Sequence, residues 1–292
     1  MGWSATMKSK IDWKNPLTTG LKFFGSFHEG YPYDYVAREH GIPGSAWRGM
    51  DPVDGVMAMT INDLDGRTNA VEFPKHDEIY NGISECTIMC FTRNRSSTVA
   101  AGQRPYGYMG TGNDPFYLSL GNDGNFAAII RTTVASYSSV GADYNVVGVE
   151  PDRWALWGAT WKNDTLTGRW QHRKDTSPTA TSGVMVDADV NADNVPRLGS
   201  ANVGGTNSWD GWVAFGAFWD RALTDGEWNA MVDHPWQIFA PQRYFVPTIG
   251  EVIITESTPE APSTVIITSV NSGTNTWQDG ATGITIAGSG FV

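Results

Sequence analysis

The sequence predicts an all-β fold, an antiparallel two-sheet sandwich or jelly roll with one short helix near its carboxyl end. Three observations lead there. Short apolar runs with a period of two recur along residues 17–245, separated by Gly, Pro, Asn and Asp. The 292 residues include 33 Gly and 15 Pro for turns, and 13 Trp and 12 Phe to fill a core. Helical spacing with a capping signal occurs once, after Thr224.

Taken in order, residues 1–16 are polar apart from the isolated Trp3 and Trp13 and form an arm. Two dockings suit such an arm, into a neighbouring subunit through its aromatic anchors or back onto its own domain. Leu17–Phe27 is the first strand. His28–Pro52, rich in Gly, Pro and Tyr, reads as an irregular surface loop anchored by Trp47. Val56–Ile61 and Ala70–Phe73 are short strands flanking an Asp65-Gly66 turn. Over Glu85–Arg93, Cys86, Ile88 and Cys90 alternate with Thr87, Met89 and Phe91, which defines a strand with two faces. Phe116–Leu120 and Phe126–Arg131 enclose a Gly-Asn-Asp-Gly turn and form a hairpin. In Asp152–Trp161, Trp157 and Trp161 share one face, Trp154 and Leu156 the other. Leu166–His172 is the next strand, and Val184–Leu198 holds one or two more around an Asp-rich segment.

Gly211–Asp220 is apolar on both sides, with Trp212, Ala214, Gly216 and Phe218 on one face and Val213, Phe215, Ala217 and Trp219 on the other. A strand of that kind is buried twice over. Thr224-Asp225-Gly226-Glu227 then fits a capping box opening a helix over Asp225–Asp233, with His234 and Pro235 to close it. Trp228, Met231 and Val232 form its apolar stripe.

This order of elements resembles the laminin G-like, concanavalin A-like jelly roll over about residues 17–245. The matching pieces are NDLDGRTNAVEFP (62–74), the strand at Cys86–Arg93, Asp152–Trp161, and WDGWVAFGAFWDRALTDGEW (209–228). The family's Tyr-x-Asp-Gly hairpin is replaced by Arg169-Trp170-Gln171-His172-Arg173. After Val246 the composition changes: 249–263 contains a short β run and ESTPEAPS, which has linker character. Residues 264–292 resemble the start of the TIG-type immunoglobulin-like domain through Ile267–Val270, Trp277-x-Asp279-Gly280 and Ile284–Phe291. The expected division is therefore an arm at 1–16, a jelly roll at 17–248, a linker at 249–263 and an incomplete immunoglobulin-like domain at 264–292.

The formal net charge of −11 disfavours nucleic acid and anionic membrane as partners. The amino-terminal stretch lacks the apolar core of a signal peptide. Cys86 and Cys90, on one strand face roughly 13 Å apart, cannot bridge and read as small buried apolar residues. The five histidines show no zinc spacing, and no phosphate loop, nucleophile elbow or dinucleotide fingerprint is present. A glucan hydrolase of this fold needs a strand-borne Glu-x-Asp-x-x-Glu, and none occurs. Asp63-x-Asp65-Gly66 with Glu72 lacks the first ligand of a calcium loop. Asp187, Asp189 and Asp193 (with Asn191) alternate and would share a strand face, either as a calcium ligand set or as a charged edge. Tyr31, Tyr33, Tyr35, Tyr106 and Tyr108, read as loop residues, are the candidates for stacking on sugar rings.

Taken with the resemblance, this describes a non-enzymatic virion structural protein with no cofactor. It implies a bacteriophage capsid decoration or fibre protein that assembles in the host cytoplasm with other virion proteins, as a homo-oligomer. Its jelly roll would be exposed on the virion surface to meet a cell-surface glycan. The alternatives are a carbohydrate-binding module of a bacterial surface protein and, last, a glycan hydrolase.

Overall fold

The computed structural model describes residues 10–27, 30–44, 50–61, 70–75, 80, 82–95, 102–109, 114–120, 126–131, 136–140, 153–163, 165–178, 185, 194–199 and 208–239. The chain divides into two units, Met1–Pro241 and Gln242–Val292, and every described residue lies in the first. The expected linker and immunoglobulin-like segment therefore fall outside the described residues.

The strands are β1 (Leu21–Ser26), β2 (Tyr33–Asp34), β3 (Glu39–His40), β4 (Ile42–Pro43), β5 (Met50–Val53), β6 (Val56–Ile61), β7 (Val71–Glu72), β8 (Cys86–Asn94) and β9 (Gln103–Met109). They continue with β10 (Phe116–Leu120), β11 (Phe126–Arg131), β12 (Ser136–Val140), β13 (Trp154–Lys162), β14 (Thr165–Trp170), β15 (Arg173–Pro178), β16 (Val195–Leu198) and β17 (Gly211–Trp219). The one described α-helix, α1, spans Asp225–Asp233, and a single 3-10 turn covers Pro16–Thr18. Two antiparallel sheets result. The larger runs β15-β14-β13-β8-β17-β1-β2-β3, with the β5–β6 hairpin joined to it where β6 pairs with β17. The smaller runs β12-β11-β10-β9-β16-β7-β4.

Strand β17 is the keel of the larger sheet. One edge pairs with β8 throughout; the other is shared, β6 taking Gly211–Val213 and β1 taking Phe215–Trp219. Its two faces feed two cores. Between the sheets, Val213 and Phe218 join Ile88, Cys90, Trp157, Tyr106, Phe116 and Leu118. On the outer face, Phe215, Ala217 and Trp219 meet Phe24, Met89, Leu156, Trp228 and Met231. Gly216 lets the sheets approach closely, because a Cβ there would come within 2.6 Å of both Tyr106 and Leu198.

The strict alternation expected for β17 does not hold. The register against β8 slips between Val213 and Phe215, so Ala214 is an extra residue. A bulge of one residue reverses the facing of everything before it. Trp212 consequently shares the outer face with Phe215, and Val213 points inward with Phe218. The carbonyl of Ala214 accepts from the Ser26 hydroxyl at 3.1 Å.

Other differences have similarly local causes. Residues 28–52 contain β2, β3, β4 and part of β5 rather than a wholly irregular loop. β9 was hidden in the sequence by Pro105 and Gly107, both poor strand residues; a register slip between Leu118 and Leu120 of β10 sits opposite Pro105. The strand expected over Leu166–His172 ends at Trp170, because Gln171 adopts a left-handed φ of 52° and starts a two-residue turn into β15.

Helix α1 begins as expected. Thr224 Oγ1 accepts from the Glu227 amide at 3.2 Å, and Glu227 Oε2 accepts from the Thr224 amide at 2.8 Å. Arg221 adds a bidentate pair to Glu227 at 2.7 and 3.0 Å and donates from Nε to the Thr19 carbonyl at 2.6 Å. The helix cap is thereby latched to the 3-10 turn that leads into β1.

Candidate functional site

The β2–β3 hairpin sits at the open end of the larger sheet. Asp34, 1% exposed, shapes it: its Oδ1 accepts from the Val36 amide at 2.9 Å while its carbonyl accepts from the Arg38 amide at 2.8 Å. An Asp bonding two residues ahead is a turn former, and Arg38 completes the reversal at a φ of 63°. The reversal puts His40 opposite Tyr33.

Three rings converge there. His40 lies 4.8 Å from Tyr31 and 5.2 Å from Tyr33, and the two tyrosines meet edge to face at 6.1 Å. His40, Glu39 and Arg38 are exposed, Tyr31 and Tyr33 half-buried. Behind them the aromatic series runs inward, from Tyr33 to Tyr35 at 5.0 Å, to Phe239 at 4.9 Å and to Phe24 at 5.4 Å. The outer rings are thus seated on core residues, which fixes their orientation before any ligand arrives. Half-exposed aromatic faces bordered by charged and hydroxyl groups suit the mixed apolar and polar surface of a sugar.

The structure brings Tyr31, Tyr33 and Tyr35 together and separates them from Tyr106 and Tyr108. Those two lie on β9 with no exposed surface, packed between the sheets against Phe23, Phe116 and Tyr80, and have nothing to offer a ligand. Sequence reasoning missed His40; the signal available was its position across a short turn from Tyr33. Trp13 is 52% exposed, but its neighbours are tied down: Ile11 bridges Phe239, and the Asp12 amide donates to the Ile238 carbonyl at 2.8 Å. Residues 10–16 therefore lie on their own domain. Trp3, Trp47, Asp187, Asp189 and Asp193, with Asp63 and Asp65, are outside the described residues.

A second aromatic and charged cluster crosses the outer face of the larger sheet. Trp154, Arg93, Trp212 and Thr60 occupy one row across β13, β8, β17 and β6. The guanidiniums of Arg93 and Arg95 lie 5.1 and 5.0 Å from the Trp212 ring centroid. Arg93 is ion-paired with Asp54 on the β5–β6 turn, and Arg95 with the buried Asp210 at 3.7 Å. Burial pushes the Asp210 carboxyl above its ordinary value, against the weaker pull of Arg95.

A third charged cluster ties the helix to β14 and β15. Asp225 joins Arg169 at 2.7 Å and Lys174, and the hydrogen bonds from Lys174 and then Arg169 hold its carboxyl below the usual range. Cys86 and Cys90 are buried free thiols, and burial pushes both thiols up, away from the thiolate a nucleophile needs. Among the described residues no three of His, Cys, Asp and Glu converge on a metal-sized site.

No known protein family and no curated protein matches the chain in sequence. Solved structures do match in shape. The binding domain of Paraclostridial Mosquitocidal Protein 1 superposes with a TM-score of 0.56 at 13% identity, over 74% of this chain and 52% of that one. Domain 4 of AbnA, an extracellular arabinanase from Geobacillus stearothermophilus, solved with arabinotriose, gives 0.52 at 13% identity over 77% of this chain and 100% of that one. The ligand-binding domain of botulinum neurotoxin serotype D, in complex with N-acetylneuraminic acid, gives 0.53 at 8% identity over 73% and 50%. The chain thus spans about half the length of the two toxin domains. At such identities what is shared is the fold: this chain carries a β-sandwich of the jelly-roll kind found in those binding domains.

Proposed function

We propose that this chain is a non-catalytic recognition domain whose jelly roll attaches to surface glycan through the β2–β3 hairpin. The carrying observation is the solvent-facing cluster of Tyr31, Tyr33 and His40, seated on core aromatics at the end of the larger sheet. The saccharides named with two of the structural neighbours, arabinotriose and N-acetylneuraminic acid, support a carbohydrate as ligand. Binding of the purified chain to an immobilised oligosaccharide panel tests the reading. Tyr33→Ala should abolish the signal while the far-ultraviolet spectrum and melting temperature are kept. Binding unchanged in Tyr33→Ala and His40→Ala, or absent for every saccharide, would refute it. Hydrolysis of laminarin by the purified chain would refute the non-catalytic part.

The carrier in this reading is a virion, with the domain displayed as a capsid decoration or fibre protein among other virion proteins and copies of itself. The jelly roll joined to an immunoglobulin-like resemblance supports that setting. A carbohydrate-binding module of a bacterial surface protein is the second reading, and full coverage of the arabinanase domain favours it. Immunogold labelling of purified phage particles against labelling of bacterial envelopes separates the two.

A further inference from the structure

We propose that Arg95, seated on the indole of Trp212, binds the carboxylate of an acidic saccharide at a second site on the outer face of the larger sheet. The site is separate from the β2–β3 hairpin and does not depend on it.

Two arginines lie against one indole, but their situations differ. Arg93 is 14% exposed at its side chain and paired with Asp54, so its charge is matched. Arg95 is 34% exposed; it is ion-paired with Asp210 at 3.7 Å, but no hydrogen bond closes that pair and its guanidinium makes no side-chain hydrogen bond among the described residues, so its donors stay open to solvent. The donors of a guanidinium form a planar fork matched to a carboxylate, and stacking on an indole holds that plane in place before a ligand comes. Asp210 is 8% exposed and its Oδ1 is buried without a hydrogen-bond partner, so it holds Arg95 as a counter-charge without occupying the donors of the fork.

The ligand class follows from what surrounds the fork. Trp212, over which Arg95 lies, is half-buried and presents apolar surface beside the cation; Trp154 lies further along the same row, on the far side of Arg93. A carboxylate attached to a ring with an apolar face, as in a uronic or sialic acid, matches that pairing. A simple inorganic anion matches only the fork. The net charge of −11 repels anions at a distance, so affinity must arise from contact with both parts.

The test is titration of the full chain, followed by calorimetry and by chemical-shift changes at the indole N–H signals, with galacturonic acid, N-acetylneuraminic acid, neutral galactose and inorganic sulfate. At least one acidic sugar should bind saturably and shift the Trp212 signal, and the tighter of the two names the source. Arg95→Ala should weaken it about ten-fold or more, and Arg95→Lys should fail to restore it because the charge returns without the fork. Tyr33→Ala should leave this binding intact. Melting curves of each variant guard against misfolding, which the exposure of Arg95 makes avoidable. Equal binding of galactose or sulfate, full affinity in Arg95→Ala, or no acidic sugar bound at millimolar concentration would overturn the proposal.

Discussion

Single side chains in this domain hold position through hydrogen bonds that cross between elements. Trp157 donates from Nε1 to the Thr92 hydroxyl at 2.8 Å inside the core. Thr92→Val keeps the shape and leaves that N–H without a partner, so it should destabilise by about 1–3 kcal/mol, read as a lower urea midpoint. Trp161 makes an internal comparison: its indole N–H is already buried without a partner, so Trp161→Phe should be milder than Trp157→Phe, which removes the donor to Thr92. At the helix start, Thr224→Ala should cost roughly 1 kcal/mol by removing the acceptor for the Glu227 amide. Glu227 adds a pH signature. The Arg221 hydrogen bonds, with those from Thr224, hold its carboxyl down at about 2. A group depressed in the folded state stabilises above its unfolded pKa, near 4.3 for Glu, and that contribution is lost as pH falls from there towards 2. Thermal melts over that range should therefore fall less steeply for Glu227→Gln than for the unchanged chain.

At the level of elements, the sequence was legible wherever a strand kept an unbroken period. β8 and β13 show it: Cys86, Ile88 and Cys90 face inward and Met89 and Phe91 outward, while Trp157 and Trp161 face away from Trp154 and Leu156, as the alternation implies. β6, β10 and β11 have the expected bounds, and α1 starts at its capping box. Legibility failed where one residue changed the phase. Ala214 bulges and turns Trp212 outward, which placed the Arg95 cluster on a face no period could assign. The hairpin cluster was half visible: three alternating tyrosines pointed to it, but His40 needed the turn geometry that Asp34 and Arg38 set. Tyr106 and Tyr108 misled because Pro105 and Gly107 look like loop residues. A further element-scale expectation concerns the contact between β13 and β8. A Cβ on Gly158 would sit 2.0 Å from the Ile88 carbonyl oxygen, a backbone atom that cannot rotate away. Gly158→Ala should therefore destabilise by about 3 kcal/mol or more, with the amides of β8 and β13 losing hydrogen-exchange protection together.

For the whole molecule, the larger sheet is covered on its outer face by pieces from both ends of the domain. Ile11 and Leu17 arrive from the amino end, Trp228, Met231 and Ile238 from the carboxyl end, and they share one cluster. Residues 10–16 are therefore part of the fold as much as an approach to it. Deleting residues 1–15 removes the buried Ile11 and the Asn15 side chain that caps the 3-10 turn. Loss of the isoleucine alone is about 2 kcal/mol, or a melting temperature lower by about 4–8 °C in a domain of this size. An unchanged melting temperature would mean that those contacts contribute nothing to stability.

The bridge between Ile11 and Phe239 also decides how the domain would carry a mechanical load. Entry and exit of the chain are neighbours, joined by a short antiparallel contact instead of standing at opposite ends of the sandwich. Tension between the flanking segments would reach that contact first and open it one bond at a time, as a zipper opens. The sheets behind it would stay slack until the contact had parted. Until then the jelly roll hangs beside the line of force as a pendant, and only afterwards does the load pass into it.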